Sequence, residues 1–174
     1  MVKAVFPGTF DPIHYGHIDI AERAARLFSE VVVAVYDKPL KKILFPPEKR
    51  IELVKECLEN TPNISVSGYS GLTVDFCKRI NAQVIVRGLR VFSDFEYEFR
   101  MALANHRLDP NIEVVALITN QDHTFLSGAT VREIGSLGGN VSSFVPPIVE
   151  NALQERFLEL GANQSVVPET SLRD

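Results

Sequence analysis

Short β-branched runs alternate along the chain with longer stretches of helical periodicity, and this alternation restricts the fold more than any other feature. Residues 2–6, 31–35, 64–66, 84–86 and 114–118 read as buried strands, nearly continuous in apolar character, as parallel strands covered on both faces are. Between them, residues 18–28 carry apolar or small side chains at 18, 20, 21, 24, 25, 27 and 28, a broad 3.6-period face. Residues 47–58 open on Pro-Glu, a proper helix start, and place Ile51, Val54 and Leu58 on one side. Helical patterns also cover 72–80, 92–106, 128–136 and 147–160. The order β-α-β-α predicts an α/β fold, a doubly wound, Rossmann-like sheet of five parallel strands with right-handed crossovers and helices on both faces. With 174 residues the chain suits one domain, read as 1–160. From Gly161 the sequence turns polar and loses periodicity, so 161–174 is expected to be a flexible tail.

Composition removes several function classes. A net charge of −4 and the lack of a basic run argue against a general nucleic-acid binder. The longest apolar stretch, about 31–36, falls far short of the roughly 20 residues that cross a bilayer. Pro7 and Asp11 interrupt any signal-peptide core. Cys57 and Cys77 form no CxxC pair and are expected to be reduced, buried and structural, which suits a cytoplasmic protein.

In an open α/β sheet, ligands bind beyond the carboxyl ends of the strands, near the topological switch point. The loop after the first strand reads Gly8-Thr9-Phe10-Asp11-Pro12-Ile13-His14-Tyr15-Gly16-His17 and runs into a helix. Gly8 lets backbone N–H groups approach a ligand, and the helix N-terminus is positive. His14 and His17, three apart at the helix entrance, are placed to face one phosphate, and an imidazole there can donate to a phosphoryl oxygen whose charge grows in the transition state. Two histidines without evident third and fourth partners make a zinc site a poor reading. Neither G-x-x-x-x-G-K-[ST] nor G-x-G-x-x-G occurs, so no P-loop or dinucleotide fingerprint accounts for the glycine.

Two further loops concentrate cations at the same edge. After the second strand come Lys38, Lys41 and Lys42, any of which can hold a phosphate as a point charge. After the fourth come Arg87-Gly88-Leu89-Arg90, a candidate polyanion clamp, because guanidinium meets phosphate oxygens bidentately. Asp94 and Glu96 read as the solvated start of the next helix. Farther on, Ser127-Gly128-Ala129-Thr130 open a helix on small residues, and Thr130 with Glu133 fits a capping box. An acidic chain that spends its cations on loops at one edge suggests a small, highly anionic substrate.

The first loop, GTFDP followed by His14-x-Gly16-His17, resembles the signature of the nucleotidyltransferase superfamily related to class I tRNA synthetases. Together with the tract RGLRVFSDFEYEFRMALANHRL at 87–108, the set resembles the pantetheine-phosphate adenylyltransferase family from about residue 2 to 157. The resemblance implies transfer of the AMP part of ATP to 4′-phosphopantetheine, giving dephospho-coenzyme A and pyrophosphate, with Mg²⁺ as the ATP counterion. It implies His17 as transition-state stabiliser, with Lys41 and Arg90 assisting. Substrate contacts fall on Thr9, Lys41, Thr73 and Arg87. ATP contacts fall on Thr9, Phe10 and His17 in the first loop and on Gly88, Leu89, Arg90 and Glu98 after the fourth strand. The remaining ATP contacts fall on His123, Thr124, Phe125, Leu126, Ser127, Gly128 and Ala129. Gly128 and Ala129 depart from the consecutive serines common in the family, which leaves backbone N–H groups in place of hydroxyls. The resemblance also implies a homohexamer and feedback by coenzyme A. The rival readings are a nicotinate-nucleotide adenylyltransferase, disfavoured by the 87–108 tract, and a non-catalytic nucleotide-sensing module.

Overall fold

The structure, a computed structural model, describes residues 1–39 and 42–162. The strands are β1 (Lys3–Gly8), β2 (Glu30–Tyr36), β3 (Ile64–Tyr69), β4 (Val84–Leu89) and β5 (Glu113–Ile118). The helices are α1 (Tyr15–Leu27), α2 (Pro47–Cys57), α3 (Thr73–Arg79), α4 (Phe92–Leu108), α5 (Gly128–Ser136) and α6 (Pro147–Ala162), with a 3₁₀ turn at Gln121–His123. All strands are parallel in the order β3-β2-β1-β4-β5, so the doubly wound fold expected from the alternation is the one observed. Helix α6 runs through Gly161 and Ala162, and the predicted tail beyond them lies outside the described residues.

Alternate residues of the central strands feed two cores, as the period of two requires. Ala4, Phe6, Val31, Val33, Val35 and Val86 pack with Ile20, Ala24, Leu53, Val54 and Leu153 on one face. Val5, Val32, Ala34 and Ile85 pack with Val74, Phe76 and Cys77 on the other. The expectation that all five strands are buried holds for β1 and β2 and the first half of β4, not for the edges. In β3 and β5 most residues stay half-buried or exposed, because an edge strand has a neighbour on one side alone. The predicted inner side of α2 is the observed one, with Val54 and Leu58 buried and Ile51 partly covered against the same core, and Arg50 and Leu53 widen it.

The sheet reverses its winding between β1 and β4, and these two strands pair only at Ala4–Val84 and Val5–Ile85. Beyond Val5 they part. The β1 carbonyl at Pro7 is then taken by Arg87 Nη1 at 2.8 Å, and the crevice opened at this switch point is where an α/β sheet binds its ligand.

Candidate active site

A cleft of about 710 Å³ lies over the parted ends of β1 and β4, within the size range of small-molecule sites. It brings together Thr9, Phe10 and His17 from the first loop, Thr73 at the start of α3, Arg87, Gly88 and Arg90 from the end of β4, Glu98 of α4, and Ser127 and Gly128 at the start of α5. Leu89, His123, Thr124, Phe125, Leu126 and Ala129 do not line it. Of these, Leu126 still touches the site through its carbonyl, which accepts from Arg90 Nη1 at 2.7 Å. The Phe125 ring turns edge-on to Phe144 instead. Lys41 lies outside the described residues.

His17 is held on several sides. The backbone N–H of His14 donates to its Nδ1 at 3.3 Å, and the buried His14 ring stacks on it with centroids 3.7 Å apart. The Phe10 ring meets it edge-on at 4.9 Å. A neutral imidazole that accepts at Nδ1 carries its proton on Nε2, so His17 presents an N–H donor on its other side. His14 thus caps α1 and backs His17, rather than sharing a phosphate with it as an equal partner.

Gly8 has a more specific reason than ligand approach. A Cβ there would lie 2.9 Å from Cε2 and Cζ of Phe10. Phe10 itself has φ +50°, a left-handed conformation that a bulky residue adopts only when its surroundings impose it. The turn folds the Phe10 ring back over Gly8, against Phe6 and beside His17.

The two arginines of the clamp are engaged with carboxylates. Arg87 forks onto Glu98, Nη2 to Oε1 at 2.6 Å and Nε to Oε2 at 2.7 Å. Burial works against the Arg87 charge, but the hydrogen bonds and charge of Glu98 outweigh it and raise its pKa. Arg90 Nε donates to Asp94 Oδ2 at 3.1 Å. Asp94 is therefore an arginine partner at the cleft wall, a correction to its reading as a merely solvated helix start. A carboxylate occupying each guanidinium shows that both forks already stand in the geometry an anion needs.

The start of α5 also differs from expectation. Ser127, not Thr130, is the N-cap: its Oγ accepts from the Thr130 N–H at 3.0 Å and lies 2.9 Å from Thr130 Oγ1. Ser127 and Thr130 are bonded to each other, and of the small residues that follow Ser127, Gly128 lines the cleft at the positive start of the helix.

Three buried charged residues escaped the sequence reading. Asp11 accepts from the N–H groups of Leu44 and Phe45 at 2.7 and 2.9 Å. Arg132 donates to the Asp11 carbonyl, and Arg50 lies wholly buried. Burial raises the Asp11 pKa, partly offset by those N–H bonds and by Arg132 and Arg50. The inward position of Arg50 was readable from its i, i+3, i+4 relation to Leu53 and Val54. For Asp11 and Arg132 no local pattern signals the contact.

Residues 5–134 match the family model described as cytidylyltransferase-like. The phosphopantetheine adenylyltransferase of Caldanaerobacter subterraneus subsp. tengcongensis is 48% identical over 157 residues, 90% of this chain and 98% of that protein. That of Heliobacterium modesticaldum is 48% identical over 90% of this chain and 94% of its own length. The enzyme of the same name from Dictyoglomus thermophilum is 45% identical over 90% and 96%. Among solved structures, a putative nicotinate-nucleotide adenylyltransferase from Vibrio parahaemolyticus superposes with TM-score 0.68 at 19% identity, covering 96% of this chain and 98% of that one. Plasmodium falciparum nicotinic acid mononucleotide adenylyltransferase complexed with NaAD gives 0.66 at 13%, covering 94% and 98%. At those identities the structural likeness speaks to the fold.

Proposed function

The chain belongs to the cytidylyltransferase-like nucleotidyltransferases and, within them, to the phosphopantetheine adenylyltransferases, and from that premise we propose that it transfers the adenylyl group of ATP to 4′-phosphopantetheine, giving dephospho-coenzyme A and pyrophosphate. One observation carries the reading at the level of chemistry: the donor-bearing edge of His17, the Arg87 and Arg90 forks and the Thr9–Phe10 turn line one cleft at the sheet's switch point.

The reaction runs by in-line attack, without a covalent enzyme intermediate. An oxygen of the pantetheine phosphate forms the new bond to the α-phosphorus of ATP, while the bond from that phosphorus to the β-bridging oxygen breaks and pyrophosphate leaves. The nucleophile is already ionised near neutral pH, so positioning and charge stabilisation carry the catalysis. Thr9, Lys41, Thr73 and Arg87 align the pantetheine substrate. Arg87 exchanges Glu98 for the incoming phosphate, and Glu98 is released towards the nucleotide. His17 donates from Nε2 to the α-phosphoryl oxygen on which charge accumulates. Arg90, with the backbone at Gly88 and the start of α5 at Ser127 and Gly128, holds the ATP and its departing pyrophosphate.

Among the described residues no group of three or more His, Cys, Asp and Glu side chains is arranged to hold a metal ion. We propose that Mg²⁺ arrives on the ATP phosphates and keeps several waters, as Mg²⁺ commonly does. Bound there, it neutralises phosphate charge. We extend the proposal to a hexamer assembled partly through α4, which exposes Phe92, Phe95 and Phe99 as a ladder of stacked rings. Coenzyme A, which shares the product's pantetheine and nucleotide parts, is the proposed feedback ligand of the same cleft. The proposed compartment is the cytoplasm, where the two free cysteines stay reduced.

The test is pyrophosphate release from ATP with 4′-phosphopantetheine or nicotinate mononucleotide offered separately. Turnover with the first alone is expected. Turnover with the second alone overturns the choice of acceptor, and tight nucleotide binding with neither turnover supports a sensing module.

A further inference from the structure

Arg50 is fully buried, yet among the described residues no carboxylate is one of its hydrogen-bond acceptors. Its guanidinium donates instead to four backbone carbonyls, one in the first loop and three between the end of β2 and the start of α2. Nη1 reaches Thr9 O and Tyr36 O, both at 2.7 Å. Nη2 reaches Asp37 O at 3.3 Å, and Nε reaches Phe45 O at 3.1 Å. One planar group therefore spans the first loop, the end of β2 and the segment that follows residues 40–41. Burial lowers the Arg50 pKa, and Asp11, Asp37 and Glu48 act in the opposite direction by charge alone. A desolvated cation is an expensive way to fill a core position, and an apolar side chain would suit a purely structural α2 better.

The acceptors explain its presence. In a trans peptide the C=O and N–H point in opposite directions, so fixing Thr9 O on Arg50 turns the Phe10 N–H away from α2, to the cleft side of the turn. The carbonyl of Asp11, on the other side of Phe10, is taken by Arg132. Phe10 is thus held at φ +50° between two guanidinium groups, with its ring against His17. We propose that Arg50 is a positioning residue for adenylyl transfer: it fixes the Thr9–Phe10 peptide against the end of β2, so that the Phe10 N–H and the His17 ring face the reacting phosphoryl group together. It touches no substrate. It acts through the peptide and ring it orients, and the inference rests on the function proposed above.

The test is Arg50→Lys, which keeps the charge but replaces a planar fork by one point donor. Turnover is expected to fall about 10- to 100-fold, the scale of a small misplacement of a reacting group, with a circular-dichroism melt that stays above the assay temperature. In a His17→Ala background the same change is expected to cost several-fold less than in wild type, because the share acting through the His17 ring is already lost and only the share acting through the Phe10 N–H remains. Equal losses in both backgrounds, or kcat within twofold of wild type, overturn the proposal. Two readouts do not depend on turnover. The His17 ring ¹⁵N signals are expected to move in Arg50→Lys while those of the exposed His106 stay; unmoved His17 signals overturn the proposal even if wild type adenylates a different acceptor. In wild type, the Arg50 side-chain N–H signals are expected to shift on addition of ATP, and their indifference to ATP overturns it even if Arg50→Lys does not fold.

Discussion

The backbone N–H of His14 donates to Nδ1 of His17 at 3.3 Å while the two rings stack 3.7 Å apart. With Nδ1 accepting, a neutral His17 ring carries its proton on Nε2, and in the proposed reaction the side chain acts as a preset Nε2–H donor. Removing such a donor typically costs a factor of about 10²–10³ in turnover, about 3–4 kcal/mol. His17→Ala is expected to show that loss in kcat with a nearly unchanged melting temperature. Near-wild-type kcat removes His17 from the reaction.

Arg87 and Glu98 form a two-point fork at 2.6 and 2.7 Å, and a lysine cannot reproduce it. Arg87→Lys is expected to lower kcat/KM for 4′-phosphopantetheine by at least about tenfold, since a single charge-assisted hydrogen bond is worth about 1.5–3 kcal/mol. Steady-state kinetics with the acceptor varied at saturating ATP reads this directly. An unchanged kcat/KM counts against the clamp.

The fold was legible because it is written in local periodicity. Every strand and helix lies where the alternation of β-branched and amphipathic runs puts it, and the site lies where a parallel sheet puts its ligands. What could not be read is what depends on loops meeting. Asp11 and Arg132 are 121 positions apart and become neighbours only through the packing of α5 against the first loop. Asp94 looked like a dipole-stabilised helix start because its partner, Arg90, is defined by the turn between β4 and α4. The Phe10 ring folded over Gly8 was not legible either, because it depends on a positive φ that no residue type announces.

That last contact makes Gly8 a sensitive position. A methyl there falls 2.9 Å from two carbons of a buried ring, and overpacking of this kind costs about 1–3 kcal/mol. Gly8→Ala is expected to lose that stability in urea unfolding and also to lower kcat, because the displaced ring contacts His17. Gly71 supplies the contrast, with φ +80° and open space around it. Gly71→Ala is expected to lose about 1 kcal/mol to backbone strain with kcat unchanged. A Gly8→Ala enzyme with full kcat would separate the turn from the chemistry.

The rings of Phe92, Phe95 and Phe99 follow one another along α4 at centroid spacings of 6.3 and 5.8 Å, with Phe92 88% exposed. A contiguous apolar patch of this kind marks an interface. Light scattering is expected to give a mass about six times the 19.4 kDa chain, and Phe95→Asp or Phe99→Asp is expected to reduce it. A monomeric wild type rules out the assembly.

Cys77 is buried in the second core with Val74 and Phe76, and burial pushes its thiol up to about 11 from an ordinary 9.0. Cys57 is pushed up to about 11 for the same reason. In the folded chain these thiols keep their protons to higher pH than in the unfolded chain, so the folded state binds more protons between the two values. Stability must then fall as pH rises from about 9 to about 11, and the contribution is fully present below that window. Cys77→Ala removes one titrating group at the expense of a small cavity, so it starts from a lower melting temperature but declines less steeply over the same range. Melts followed by circular dichroism at half-unit pH steps distinguish the two slopes. Parallel slopes for wild type and variant, or rapid iodoacetamide labelling of both cysteines in the native protein at pH 8, show that the thiols ionise as exposed ones do.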